Sequence, residues 1–336
     1  MTPEKIQTLD AYLIGEILKT DVDFLTKPLI ETEYGILIPI GGPRTKSSLP
    51  ESYQGKKTMF WLGESAVVIH YWGEEYVGNP LYFRRLYQNS KEVYKNKLIP
   101  TPQLLSTDDK TMTLIIERAK HDLTVYLPSG KKDEIDPTLE RVFDLFHRVW
   151  EDSREETMGF PRYVSSFLEP EYSFLKSKKI DDYLPSSLAR LYRAVQQELT
   201  EYLDQTRRQG FESGFGLADV KLDNLVEGKK DSILFIDVEK PEKVHWLTLL
   251  GQLYQDVVSK APDSVFAVVL ERKCQKALEK EAKPKIARRH FNIGRMNRLL
   301  LPCTLRNVSY TIETNSPIDF KRLENSLNET QSLFQA

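Results

Sequence analysis

Cysteine is nearly missing from this chain: Cys274 and Cys303 are the only two among 336 residues. That scarcity excludes a disulfide-stapled scaffold and a multi-cysteine metal site, and it makes a reducing, cytoplasmic compartment the natural expectation. An excess of charge of one sign is missing too. With 47 Lys and Arg against 49 Asp and Glu, the net charge of −2 gives no global attraction to nucleic acid or to a membrane surface. The opening Met1-Thr2-Pro3-Glu4-Lys5 begins no unbroken apolar segment, so it reads as neither a secretory signal nor a membrane anchor. No period repeats, and no low-complexity block is long enough to be a linker. What is present is ordinary globular composition: 40% hydrophobic residues suffice for a core, and the length allows two domains or two lobes.

Two short runs carry the chemistry. Leu217-Ala218-Asp219-Val220-Lys221-Leu222-Asp223-Asn224 sets an amide five residues after a carboxylate. Thirteen residues beyond Asn224, Asp237 ends the apolar run Ile233-Leu234-Phe235-Ile236. The polar stretch Glu227-Gly228-Lys229-Lys230-Asp231 lies between two β-rich segments, so the pattern predicts a hairpin with oxygen ligands at both ends. Phosphoryl transfer asks a protein mainly to position groups and to neutralise charge with magnesium, a metal that prefers oxygen ligands. One carboxylate can orient the attacking hydroxyl, while an amide oxygen and a second carboxylate grip metal ions. The same residues also fit an ordinary surface hairpin whose acids are solvated.

On these residues the chain resembles the protein-kinase-like superfamily, and the aminoglycoside phosphotransferase and choline kinase branch in particular. The resemblance implies an α+β, two-lobed fold. A small β-rich N-lobe would occupy 1–118, with an N-terminal helix, an antiparallel sheet and one further helix. A larger, mostly helical C-lobe with inserted acceptor-binding helices would occupy 119–336. It implies ATP and Mg2+ as cofactors, Asp219 as base or orienting group, and Asn224 with Asp237 as metal ligands. Lys221 stands where serine/threonine protein kinases carry a phosphate-steadying lysine. Two departures stand out: Leu217 replaces the usual histidine of the catalytic loop, and Glu239 stands where protein kinases have glycine. An Asp-x-Glu ending is similar to the small-molecule kinases.

The first hundred residues read as strand-rich. Thr2 and Pro3 begin a helix carrying Leu9, Tyr12, Leu13 and Ile17, and strands follow at Glu33 to Ile40, Lys57 to Leu62 and Ala66 to Trp72. Gly41-Gly42-Pro43 is either a phosphate-covering hairpin or simple chain reversal. Period-two alternation puts Val68 and His70 on one face of their strand. Those positions resemble the adenine-lining and lysine positions of the family, and His70 is then either a donor to phosphate or a half-buried strand histidine. Lys56, Lys57, Arg84 and Arg85 are alternative cations. Asn79 to Lys97 reads as the helix on which the family carries the glutamate that pairs with the strand lysine; Glu92 lies late in it and reads as a surface charge.

Strands at Gln103 to Ser106 and Thr111 to Glu117 lead into Glu117, Arg118 and Ala119, which resemble a kinase hinge whose backbone pairs with adenine between the lobes. Helical patterns follow, as at Leu139 to Trp150 and Leu188 to Thr206. The length of this region is similar to that of kinases acting on small molecules, and Pro241-Glu242 follows Asp237 too closely for a long activation segment. Asp256 either resembles the aspartate that braces the catalytic loop from a helix start or is an acid on an exposed helical face. Lys283, Lys285, Arg288, Arg289, Arg295 and Arg298 form a basic cluster that reads either as a solvated helix face, the usual case, or as a surface for an anionic substrate or an acidic partner. The expectation is phosphorylation of a hydroxyl on a small-molecule acceptor, with no nucleic-acid or membrane partner. Its alternatives are a pseudokinase-type binding or scaffold module, or an atypical protein kinase supported by Lys221.

Overall fold

Alternating apolar strands build the first part of the computed structural model, and amphipathic helices build most of the rest. The structure describes residues 10–20, 29–40, 57–71, 80–97, 99–128, 130–156, 184–208, 212–217, 219–238, 242–300 and 319–335. They fall into two compact units, Met1–His121 with Val226–Lys240, and Asp122–Leu225 with Pro241–Ala336. The architecture is α+β, as the resemblance implies.

The first unit is organised by a six-stranded antiparallel sheet in the order β1-β2-β3-β4-β6-β5. Its strands are β1 (Ile30–Thr32), β2 (Gly35–Pro39), β3 (Lys57–Leu62), β4 (Ala66–Tyr71), β5 (Leu104–Asp108) and β6 (Thr113–Glu117). The single strand expected over Glu33 to Ile40 is part of a hairpin instead. The chain turns at Glu33 and Tyr34, where the Thr32 hydroxyl donates to the Gly35 carbonyl at 2.6 Å. Helix α1 (Ala11–Thr20) starts at Asp10, whose carboxylate accepts from the Tyr12 amide at 2.9 Å. It lays Ala11, Ile14 and Leu18 against Phe60, Val68 and Ile115 on one face of the sheet. Helix α2 (Pro80–Asn96) presents Leu86, Tyr87 and Tyr94 to the opposite face, against Val67, Ile69 and Tyr71. Covered on both sides, every residue of β4 is buried.

A two-stranded ribbon, β9 (Leu225–Glu227) and β10 (Ile233–Phe235), confirms the expected hairpin. Within the first unit the Glu227 amide donates to the His121 carbonyl at 2.9 Å, and the Lys120 amide donates to the Glu227 carbonyl at 2.8 Å. The expected helix start at Thr2 and Pro3, the residues Gly41 and Gly42, the cap at Asn79, and Lys56 and Glu239 lie outside the described residues.

In the second unit, α3 (Lys132–Glu151) and α4 (Ser186–Arg208) contain the helices expected at Leu139 to Trp150 and Leu188 to Thr206. A small antiparallel sheet, β7 (Glu155–Glu156), β8 (Glu212–Gly216) and β11 (Glu242–Val244), was not expected from the sequence. Its central strand, Glu-Ser-Gly-Phe-Gly, lacks the alternation that marks a strand. Helices α5 (Trp246–Lys260), α6 (Val265–Lys280), α7 (Pro284–Leu300) and α8 (Phe320–Gln335) complete the unit. Among the described residues no helix is long and apolar enough to cross a membrane.

Helices α5 and α7 cross backbone to backbone. A Cβ on Gly251 would lie 2.0 Å from the Phe291 carbonyl oxygen, and one on Gly294 would lie 2.0 Å from that of Thr248. Only glycine permits both approaches, and this contact fixes where the side chains that follow on each helix point.

Candidate functional site

Strand β8 delivers the chain to Leu217, which is buried, and among the described residues the loop beyond it makes few backbone–backbone bonds. Helix α5 supplies them. Gln252, fully buried, accepts from the Val220 amide at 2.8 Å and donates to the Leu217 carbonyl at 3.4 Å. Asp256 accepts from the Leu222 amide at 3.1 Å. These side chains stand in for a ladder, as buried backbone groups require. Asp256 therefore braces the loop, though from the body of α5 rather than from its start. Gln252, its fellow brace, carried no signal in sequence beyond its neighbourhood.

The loop ends in a short 3-10 turn, Leu222–Asn224, where the Asn224 amide donates to the Lys221 carbonyl at 3.0 Å. The Asn224 side chain is buried, and its Nδ2 donates to the Asp219 carbonyl at 3.0 Å. A carbonyl can face only the donor end of an amide, so Oδ1 is the atom left for an outside partner. That is the orientation a metal-holding asparagine needs. The structure brings together Asp219, Lys221 and Asn224 in one clamped turn.

Charge is arranged around that turn in a chain of alternating sign. The Asp219 side chain is 52% exposed, with the Lys221 ammonium 4.0 Å away. Arg298, from α7, donates one guanidinium nitrogen to Asp219 and the other to Asp256 at 2.8 Å. Lys260 bonds Asp256 at 3.0 Å and Asp223 at 2.5 Å. Burial works against ionisation of Asp223, but Lys260 and Lys221 outweigh it and hold its carboxyl below the usual range. Lys260 is raised in return by Asp223 and Asp256 against its own burial. Arg298 belongs to the basic cluster expected to be a solvated face. Its side chain is only 11% exposed, so at this position that expectation is corrected.

Asp237 follows β10 in the first unit, with a φ of 60°. A non-glycine residue in the left-handed region costs on the order of 1 kcal/mol or more and persists only where its surroundings impose it, often at functional sites. Magnesium sites take one or two carboxylates together with phosphate oxygens and water. An amide oxygen from Asn224 and a carboxylate from Asp237 are donors of that kind. Among the described residues no group of three or more His, Cys, Asp or Glu side chains forms a closed metal cage.

The residues expected to line a nucleotide divide differently. Val68 and His70 lie on the α1 face of β4. His70 is buried there, with its Nδ1 2.9 Å from the Thr113 hydroxyl. The face toward α2 carries Val67, Ile69 and Tyr71. Glu92 is exposed and accepts from Asn96 at 2.6 Å, a surface charge as expected. At the expected hinge, the Glu117 amide donates to the Gln103 carbonyl at 2.8 Å and the Arg118 amide to the Ser65 carbonyl at 2.9 Å. The Arg118 guanidinium lies over the Trp61 ring at 4.3 Å and donates to the Gly63 carbonyl, while Glu117 pairs with Lys229. Of Glu117, Arg118 and Ala119, Ala119 alone has neither amide nor carbonyl engaged among the described residues.

Solved structures share this fold over most of the chain. A choline/ethanolamine kinase family protein from Mesorhizobium loti matches 86% of this chain and 92% of its own, with a TM-score of 0.55 and 14% identity. Choline kinase LicA from Streptococcus pneumoniae matches 96% of this chain and 99% of its own, with a TM-score of 0.55 and 12% identity. An aminoglycoside phosphotransferase, APH(2")-IIa, solved with streptomycin and ATP, matches 97% and 99% at a TM-score of 0.57 and 12% identity. The chain has the protein-kinase-like fold found in these structures. No family model and no curated protein matches it by sequence. At such low identity the likeness establishes the fold, and chemistry has to be argued from the side chains.

Proposed function

We propose that this protein is an ATP- and magnesium-dependent phosphotransferase acting on a hydroxyl of a small molecule in the cytoplasm. The observation that carries the reading is the bond from Asn224 Nδ2 to the Asp219 carbonyl, which ties a base and a metal ligand into one rigid turn. Asp219 accepts or orients the proton of the attacking hydroxyl. Lys221 steadies the transferring phosphate, and Asn224 and Asp237 hold magnesium, which neutralises the phosphate oxygens when bound. The adenine edge pairs with the backbone at Ala119, since the amides of Glu117 and Arg118 are committed elsewhere. Kinases named for choline and aminoglycosides among the structural neighbours support a small, hydroxyl-bearing acceptor.

A thermal-shift and calorimetric series with ATP, with and without magnesium, followed by turnover against a metabolite library, tests the reading. Wild-type protein should bind ATP more tightly with magnesium, and Asp237→Ala should lose that gain. Asp219→Ala should keep nucleotide binding but lose roughly 10²- to 10⁴-fold of turnover. Metal-dependent binding unchanged by Asp237→Ala overturns the assignment.

One observation favours a second reading, a pseudokinase-type nucleotide-binding module. Asp219 is engaged by Arg298, and the catalytic-loop histidine position is Leu217. Nucleotide binding with no turnover on any acceptor in the same series would select it.

A further inference from the structure

Tyr71 occupies the α2 face of β4, packed edge-on against Tyr87 with ring centroids 5.8 Å apart. Its hydroxyl donates to Ser90 Oγ at 2.7 Å, and Ser90 Oγ donates to the Val238 carbonyl at 2.8 Å. Tyr71, Ser90 and Val238 are all almost fully buried, at 1%, 0% and 1% exposure. The direction of the relay is forced. A carbonyl can only accept, so the one Ser90 proton goes to Val238, and the Tyr71 proton must go to Ser90. A helical serine more often bonds back to a carbonyl of its own helix, whereas this one reaches a residue 148 positions away. The residue immediately before that carbonyl is Asp237, in its left-handed conformation.

We propose that Tyr71 and Ser90 are positioning residues for Asp237. Their hydroxyl relay ties β4 and α2 to the chain just past Asp237 and helps impose the φ of 60° that aims its carboxylate. The family resemblance implies a lysine on the strand and a glutamate on the helix joined as an ion pair between these elements. Here the strand face that meets the helix carries no charge, Glu92 is on the surface, and a neutral relay makes the join. In a water-excluded setting such hydrogen bonds are strong and directional, so the position of α2 is transmitted to the metal ligand without any charged group. The inference rests on reading Asp237 as that ligand.

The test uses Tyr71→Phe and Ser90→Ala in the full chain, with Tyr87→Phe as control. Tyr71→Phe keeps the ring and its packing. Tyr87→Phe removes a neighbouring hydroxyl that bonds Asp109 rather than Val238. The first readout is amide hydrogen exchange across 235–238 without ligand. Roughly tenfold faster exchange is expected in both relay variants and no change in the control, the size of one lost buried hydrogen bond. The second is the apparent magnesium affinity in the presence of ATP, expected to fall by a similar factor while ATP binding without metal is unchanged. Exchange unchanged in both relay variants overturns the proposal. So does faster exchange with unaltered magnesium affinity, because the relay would then hold the chain without aiming the ligand. Absence of any magnesium dependence in the wild type instead removes the function proposed above and the positioning role with it, a result distinct from either.

Discussion

Arg298 grips Asp219 with one guanidinium nitrogen while the other holds Asp256, so a single side chain links the proposed base to the residue that braces its loop. The two carboxylates differ in setting, 52% exposed for Asp219 and 7% for Asp256. A double-mutant cycle in urea should therefore give a coupling of about 3 kcal/mol for Arg298 with Asp256 and below about 1 kcal/mol for Arg298 with Asp219. Arg298→Lys should not rescue, because a single ammonium lacks the two separate guanidinium nitrogens that meet Asp219 and Asp256. Couplings below about 1 kcal/mol at both pairs would show that both are solvent-screened.

Gly294→Ala should destabilise the protein by about 1 to 3 kcal/mol, measured as a shift in the urea midpoint at constant slope. Helix propensity alone predicts the opposite sign, a gain of about 1 kcal/mol. The Thr248 carbonyl, 2.0 Å from the added carbon, decides the outcome. A stabilised variant would mean that α5 and α7 separate without cost.

Stability should fall as pH drops from 6.5 toward 4. His290 is buried and stacked 4.4 Å from His245, and burial depresses its pKa to about 4. His245 is lowered as well, by burial and by its neighbours His290 and His147. A neutral folded histidine and a protonated unfolded one mean that the unfolded state binds more protons in this window, so stability rises with pH there. His290 alone accounts for up to about 3 kcal/mol. Thermal unfolding of His290→Gln across pH 4.5 to 7 should show a shallower slope than wild type; parallel curves would clear His290 of the effect.

Asn224→Asp should cost about 1 to 3 kcal/mol at pH 7, because the new carboxylate has no proton to offer the Asp219 carbonyl at the 3.0 Å position. Differential scanning calorimetry reads the change. An unaltered melting temperature would show that the turn is held by Gln252 and Asp256 without Asn224.

Much of this was legible in the chain. The hairpin of β9 and β10 followed from two apolar runs around a polar turn, and the five-residue spacing of Asp219 and Asn224 located the clamped loop. Which helix covers which face of β4 was not legible. Ala66 to Tyr71 is apolar except for His70, and with helices on both sides no alternation of polarity marks which face is which. Alternation placed Val68 and His70 on one face, as found, but only packing gave that face to α1 and Val67, Ile69 and Tyr71 to α2. The basic run of α7 was equally mute. Lys283, Lys285 and Arg288 are exposed, whereas Arg295 reaches Gln255 and Arg298 reaches Asp219 and Asp256.

The sequence by itself determined the strongly periodic elements and the oxygen-bearing residues of the loop, because periodicity and spacing are local and survive in one dimension. Only the tertiary structure decided which cation neutralises Asp219 and which hydroxyls reach the chain beyond Asp237. Those partners lie 79 and 148 residues apart, Arg298 from Asp219 and Ser90 from Val238. Contacts of that range are set by packing, by the glycine-mediated crossing of α5 and α7 and by the seating of α2 on the sheet, and no pattern along the chain encodes them.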